Sequence, residues 1–358
     1  MVVQIVYETH ATTVDNENRI ATGWLPGELS ATGRAEAAEL GRRRGDDGLD
    51  LVITSDLARA VQTVELAFAG ADVPIITDPR LREVDYGELN RASFEVVHRH
   101  RRDRVDTPFP GGQSYRQATQ AMSALLDDLL RERDGQRVLL VGHAATRFAL
   151  DNLLTGRPLE AAVTRPFAWR AGWTYELTDL RPVIQRLDGS QAHAGTVELT
   201  DVYRAAFTAP GYDETEESVE HFRDQQLAAH ASRDGFRCVT VRFGDRLAGF
   251  GYGYTGELGQ WWSDQVAERG PKAVVDEWLG GHFEFVELAV DPRWQSRGLA
   301  CALHDALLLD LPHHRALLTT YRDDRPAPRL YRRLGWSLLH EGVFDDSDLW
   351  GLVLQDGH

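Results

Sequence analysis

The chain is poor in cysteine, in positive charge and in long apolar runs, and each shortage removes a class of protein. Its 358 residues hold only Cys238 and Cys301, too few and too scattered for a disulfide framework or a zinc site. A reducing cytoplasm is the natural reading. No stretch reaches the roughly 18 apolar residues of a membrane-spanning helix. Met1 leads straight into the alternating run Val2-Val3-Gln4-Ile5-Val6, without the basic segment and apolar core of an export signal. A soluble, unexported protein is expected. The 39 basic side chains are outnumbered by 55 acidic ones, for a formal net charge of −16, which repels nucleic-acid backbones and anionic membrane surfaces. Neither is expected as a partner, and a cationic or small-molecule substrate fits better. Internal repeats and low-complexity segments are absent as well.

What is present is enough chain for two cores, since domains usually hold about 100 to 200 residues. The first half alternates apolar strand-like runs (Val2 to Tyr7, Leu51 to Thr54, Val138 to Gly142) with helical patterns, as in a largely parallel sheet covered by helices. Leu57, Val61, Val64 and Phe68 recur at helical spacing, with Ser55 as N-cap and Gly70 as stop. Gln117 to Arg131 predicts a second helix, and a strand pair near Phe167 to Leu177 and Val183 to Leu187 closes the region. The small, polar run 188–195 is the linker candidate. Beyond it, helices are predicted near Leu199 to Ala206 and Ser218 to Ala229. A hairpin joins Cys238 to Phe243 and Leu247 to Tyr254 across Gly244-Asp245. Strand Phe283 to Val290, helix Gly298 to Leu311, strand Ala316 to Tyr321, a short helix ending near Leu334 and two closing strands complete it.

Two short signatures carry the chemistry. In the second half, Gln295-Ser296-Arg297-Gly298-Leu299-Ala300 joins an apolar strand to an apolar helix. Successive backbone N–H groups in such a loop, followed by a helix N-terminus, cradle phosphate oxygens. This run resembles the Gln/Arg-x-x-Gly-x-Gly/Ala signature of the Gcn5-related N-acetyltransferases (GNAT). Ala327 to Trp336 resembles that family's later Ala-x-x-Leu-Tyr-x-x-Leu-Gly-Phe segment. The resemblance covers residues 196–358 and implies a GNAT-fold mixed α/β domain with acetyl-CoA or another acyl-CoA as co-substrate. It implies the backbone of Leu288, Ala289 and Val290 for the pantetheine arm and Gln295, Ser296, Arg297, Gly298, Leu299 and Ala300 for the pyrophosphate. Tyr331 is implied as the acid protonating the departing thiolate. Acyl transfer to an amine needs the amine deprotonated and a proton returned to sulfur. Glu284 and Glu287 are the candidate bases, and strict strand alternation puts them on opposite faces. The family's frequent asparagine is Asp324 here. The acceptor is expected to be a small-molecule amine, with specificity from segments such as Thr208 to Glu220 and Leu258 to Gly280. Trp261, Trp262 and Trp278 there either line a pocket or belong to the core.

In the first half, Tyr7-Glu8-Thr9-His10-Ala11 closes a strand with a histidine. Asn16 to Trp24, Leu29 to Gly33, Ser55 to Thr63, Leu81 to Gly87, Pro110 to Ser114 and Val141 to Ala144 follow in order. These blocks resemble the histidine phosphatase superfamily over residues 1–187, implying a phosphoglycerate mutase-like three-layer α/β domain that needs no metal. The resemblance implies attack by His10 on a phosphoryl group, Arg59 and His143 binding its oxygens, Glu83 moving the leaving-group proton, and Asn16, Thr22 and Gly23 near the substrate, a phosphorylated metabolite. A neutral imidazole is nucleophilic near pH 7 and arginine clamps spread charge.

One departure is large: the family's Arg-His-Gly is Thr9-His10-Ala11 here, and Glu8 stands where an aliphatic residue is usual. Losing an arginine–phosphate contact costs about 1.5 to 3 kcal/mol. Arg19 and Arg82 are candidates to compensate. The tract His98 to Arg104 either recruits an anion or is a solvated helix face. Three readings of this half stay open: an altered phosphatase or phosphotransferase, a silent binding or scaffold domain, and a repurposed site in which Glu8, His10, Glu83 and His143 bind a metal or a cationic ligand. For the whole chain, the alternatives to amine acylation are a phosphatase with an accessory acyl-CoA-binding half, and a non-catalytic sensor.

Overall fold

Side-chain alternation organises the first part of the chain. A computed structural model describes residues 1–165, 170–209, 211–212, 214–323 and 325–354, in two units, Met1–Pro182 and Val183–His358. In the first, β1 (Val2–Thr9), β2 (Leu51–Thr54), β3 (Ile75–Thr77), β4 (Arg137–Gly142) and β5 (Trp173–Thr178) form one sheet ordered β3-β2-β4-β1-β5. All neighbours are parallel except β5, which runs antiparallel to β1. Val3, Ile5, Tyr7, Leu51, Ile53, Val138 and Leu140 pack with Leu125, Leu126, Leu129 and Leu150 from helices Tyr115–Glu132 and Ala144–Thr155. The intervening Val6, Val52, Leu139 and Val141 pack with Val64 and Phe68 at helix Ala58–Ala67. Both faces are therefore covered, giving three layers. The register Thr9↔Gly142 brings the carboxyl ends of β1 and β4 level, so His10 and His143 emerge side by side. Sheets of this kind bind ligands there.

The second unit is built on a seven-stranded sheet: β6 (Pro182–Leu187), β7 (Arg237–Phe243), β8 (Arg246–Gly256), β9 (His282–Val290), β10 (Arg315–Tyr321), β11 (Ser337–Phe344) and β12 (Ser347–Val353), ordered β11-β12-β10-β9-β8-β7-β6. Helix Leu299–Leu308 lays Leu303 and Leu307 against Val239, Val241, Phe283 and Phe285. Helix Thr196–Phe207 covers the other face through Leu199, Val202 and Tyr203 against Cys238, Phe250 and Tyr252.

Several expectations change. Residues 188–195 are not a linker, because Asp188 and Gln191 form a capping box on helix Gly189–Ala194, and Ala192 is fully buried with Leu199 and Phe250. Polar composition hid a capped turn. The strand from Val183 pairs beside β7 in the second sheet and does not close the first, so the units divide at Pro182, ahead of the expected 187. Phe167, the expected start of the preceding strand, lies outside the described residues, and β5 begins at Trp173. Leu57, not Ser55, caps helix Ala58–Ala67, and the Ser55 hydroxyl accepts from the Leu57 amide at 3.3 Å. Helices Trp261–Arg269 and Lys272–Trp278 occupy the segment left unassigned. Trp278 there is core, Trp262 is partly buried against that core, and Trp261 is 69% exposed and stacked on Phe344.

Helix Ala31–Arg44 touches the loop after His10 at Gly33, where an added Cβ would lie 1.9 Å from the Thr12 carbonyl oxygen. Helix propensity alone predicts that Gly33→Ala stabilises by about 1 kcal/mol. The clash with backbone predicts the reverse, a loss of about 1 to 3 kcal/mol. A denaturant melt of the variant decides, and an unchanged or raised midpoint would refute this packing.

Candidate active sites

In the first unit, His10 is oriented by its neighbours. Its Nδ1 lies 2.7 Å from the Ala11 carbonyl and its Nε2 3.3 Å from Nε of Arg59. A carbonyl only accepts and a guanidinium only donates, so the proton is assigned to Nδ1 and the lone pair to Nε2. Burial and the Arg59 charge hold His10 down at about 3, keeping the ring neutral. Arg59 is buried, and its Nη2 donates to the Gly23 carbonyl at 2.8 Å. Gly23 adopts φ +57°, and a Cβ there would meet Asn90 Oδ1 at 2.0 Å, so the turn that delivers this carbonyl needs glycine.

Behind His10, the His143 ring stands 4.9 Å away, with Nδ1 3.3 Å from Nη2 of Arg59. Its Nε2 is buried without a partner among the described residues, an N–H free to donate. The Tyr7 hydroxyl fixes this histidine by donating to its carbonyl at 2.6 Å. Glu83 receives the Val84 amide at 2.8 Å, and burial raises its pKa. A cavity of about 750 Å³ opens on this group. Thr9, His10, Asn16, Thr22, Gly23, Arg59 and Glu83 all line it, whereas His143 is buried next to His10 and is not among the lining residues.

In the second unit, β9 and β10 are paired only at Phe283–Ala316 and Glu284–Leu317. Past that point, among the described residues, the ladder of β9 continues only with β8, leaving the β10-facing backbone of Leu288, Ala289 and Val290 outside it, with the Val290 carbonyl accepting from Gln295 Nε2 at 3.1 Å. The loop that follows places Ser296 at φ +63° and Gly298 at φ +82°, and helix Leu299–Leu308 begins with the N–H groups that no intrahelical carbonyl receives. Gln295, Ser296 and Gly298 are exposed. The Arg297 guanidinium lies over Trp294, 5.0 Å from the ring centre, and Trp294 stacks on Phe243 at 4.2 Å. An extended arm between parted strands and a diphosphate on the loop are what this arrangement fits.

The expectation that Glu284 and Glu287 face opposite sides is overturned. A bulge intervenes: Glu287 stands opposite Tyr252 and Phe285 opposite Gly253, leaving Val286 unpaired. The extra residue resets the alternation, so both carboxylates face the side of Tyr252 and Tyr254. The Tyr254 hydroxyl donates to Glu284 at 2.6 Å, and Gln226 reaches both Glu287 and the Tyr252 hydroxyl at 3.2 and 3.1 Å. Burial pushes Glu284 up to about 7 and Glu287 up to about 8. Tyr331 is buried edge-on to Phe285 and Trp336, and burial together with the Glu287 charge raises its pKa, holding the phenol protonated. Asp324 lies outside the described residues. Among the described residues no cluster of His, Cys, Asp or Glu is arranged to hold a metal ion, and no helix is long and apolar enough to cross a membrane.

Residues 9–187 match the family model of the histidine phosphatase superfamily (branch 1). The chain belongs to that superfamily. Residues 196–336 match the acetyltransferase (GNAT) family, so a histidine phosphatase domain and a GNAT domain share one chain. A protein of Cronobacter sakazakii named "Probable phosphoglycerate mutase GpmB" is 31% identical over 167 residues, 44% of this chain and 78% of that protein. Its namesake from Yersinia enterocolitica is 30% identical over the same shares. Among solved structures, Bacillus stearothermophilus YhfR aligns at 21% identity over 51% of this chain and 91% of its own, with a TM-score of 0.43.

Within the histidine phosphatase domain, Glu8 does not charge the pocket. It is 2% exposed and does not line the cavity, with Nη2 of Arg44 at 2.8 Å and of Arg43 at 3.3 Å. This also removes it from any cation site with His10. Arg82 is likewise elsewhere, bound to Asp56 and lying over Trp24. Arg19 reaches the pocket but is paired with Glu95. The tract His98 to Arg104 is split: His98 and Arg101 line the pocket, while Arg99 and His100 are exposed. Sequence reasoning gave no role to Arg101 singly, nor to Tyr252, Tyr254 and Gln226 in the GNAT domain. The i, i+2 tyrosines were the available signal. Because Glu8 is neutralised locally, Glu8→Gln should leave phosphate affinity within twofold while costing about 1 to 3 kcal/mol of stability. Calorimetry and melting measured together check it, and a marked gain in anion affinity would return Glu8 to the site.

Proposed function

We propose that the GNAT domain is an acyl-CoA-dependent N-acetyltransferase acting on an amine of a small molecule. The observation that carries this reading is the parting of β9 from β10 next to two same-faced carboxylates and a protonated tyrosine. The backbone of residues 288–290 would hold the pantetheine arm and residues 295–300 the diphosphate, and acyl-CoA bound there supplies an activated thioester. The chain's own residues manage protons. Glu287, whose charge is the first that Tyr331 feels, takes the proton from the acceptor ammonium. Glu284, held by Tyr254, anchors the cationic acceptor, and the Tyr331 hydroxyl provides the proton that the sulfur needs. No phosphate or carboxylate acceptor suits a wall bearing two carboxylates.

A raised carboxyl pKa means that the base is ionised only at the alkaline end. Acetyl transfer should therefore climb with pH until about 8, reading thiol release against a panel of small amines. Glu287→Gln should remove that limb and slow transfer about 100- to 10,000-fold, while Glu284→Gln should mainly raise KM. A limb that survives in Glu287→Gln and vanishes in Glu284→Gln would exchange the two roles. No release with any amine would remove the reading.

A second activity is supported by the His10 tautomer. With Nδ1–H held by the Ala11 carbonyl, the Nε2 lone pair faces the pocket beside Arg59. We read the histidine phosphatase domain as transferring a phosphoryl group from a phosphorylated metabolite. An Nε2–P bond forms as the P–O bond to the leaving group breaks, and the leaving oxygen takes the proton that burial keeps on Glu83. Water then releases phosphate. Because His10 stays neutral far below pH 7, its own titration should impose no acid limb above pH 5. With 4-nitrophenyl phosphate, His10→Ala should abolish turnover. Turnover unchanged in His10→Ala would assign the activity elsewhere.

A further inference from the structure

The position that carries arginine in the family motif is Thr9, yet the same cavity receives another guanidinium. Arg101 lies at the end of helix Phe94–His100. Val97, four residues earlier, is 1% exposed and sits in the cluster of Tyr86, Phe109 and Tyr115. That anchor fixes the helix face, and side chains four apart share a face, so Arg101 is turned inward with it. Arg101 joins His10, Arg59 and Glu83 in the cavity wall. Its guanidinium lies 5.8 Å from the Phe148 ring centre, and its charged or polar neighbours include the phenols of Tyr115 and Tyr86, the carboxyl of Glu83 and the His98 imidazole. Its Nε is buried without a hydrogen-bond partner among the described residues.

A cation withdrawn from water is costly unless it is paired and hydrogen-bonded. The other charges around the cavity are already engaged: Arg19 with Glu95, and Glu36 with the Thr12 amide at 2.8 Å. Arg59 and Arg101 are left facing Glu83, a carboxyl that burial inclines toward its neutral form, while Asp15, the other carboxylate near Arg59, is engaged by the Thr22 hydroxyl at 2.8 Å. The cavity therefore lacks an anion. A dianionic phosphoryl group supplies it, with oxygens for both guanidinium forks.

We propose that Arg101 is a phosphoryl-binding residue that replaces, from a different chain segment, the arginine missing at position 9. It rests on reading the cavity as a phosphoryl site, but binding and turnover separate the two claims. The test is titration of the full chain, labelled with ¹⁵N in its imidazoles, with inorganic phosphate, following the His10 resonance identified by its loss in His10→Gln. Following that nucleus excludes phosphate held in the GNAT domain.

Arg101→Met should weaken phosphate binding at this resonance by about 10- to 100-fold, with Arg101→Lys in between. Adding Thr9→Arg to Arg101→Met should recover most of the loss, which a merely structural role for Arg101 would not allow. An unshifted dissociation constant in Arg101→Met, or wild-type protein whose His10 signal ignores phosphate, overturns the proposal. So does a loss that Thr9→Arg fails to restore. Phosphate binding that depends on Arg101 in a protein without turnover would uphold it while sinking the catalytic reading of His10.

Discussion

A buried arginine that is ion-paired with no carboxylate among the described residues is the constraint on which the first site depends. Arg59 is tied to two backbone carbonyls, Gly23 at 2.8 Å and Leu25 at 3.4 Å, and to the two histidines in front of it. Carbonyls fix its direction without cancelling its charge, so the charge remains available to an anion and adds to the burial that keeps both imidazoles neutral. The turn at Gly23, the level ends of β1 and β4 and the Tyr7 bond to the His143 carbonyl all serve this one arrangement. Glu8, by contrast, is engaged by Arg43 and Arg44 away from the cavity lining, so an acid two positions from His10 in sequence is neutralised by its own partners.

The GNAT domain relies on a comparable local irregularity. One extra residue at Val286 turns Glu284 and Glu287 to the same side, and the short pairing of β9 with β10 leaves the next backbone groups outside the ladder. A regular strand would have offered one carboxylate and a closed sheet. The tyrosines of β8 then set the two acids apart chemically: Tyr254 donates to Glu284, while Glu287 has only the amide of Gln226.

Much of this was legible in residue order. The alternating runs at Val2 to Tyr7 and Val138 to Gly142 located β1 and β4, and the family blocks located His10, Arg59, Glu83 and His143, which the fold does bring together. Where reading failed, a local rule had been applied past its range. Alternation was extended through β9 although a bulge breaks it. Polarity was taken for a linker at 188–195 although a capping box makes a helix there. At His98 to Arg104 charge density leaves an anion site and a solvated face both open, and Val97, anchored in the core, divides the tract between them.

By itself, then, the order of residues determined two α/β units, the strand-to-helix loop at 295–300 and the family blocks that hold the candidate site residues, because each is encoded within a few neighbouring positions. Only tertiary structure decided which charges meet. Ion pairing depends on distances between segments far apart in sequence, so whether Glu8, Arg82 or Arg101 reaches His10 was set by helix packing and strand register. Arg101, 91 positions from His10 in the chain, shares its cavity, whereas Glu8, two positions away, does not.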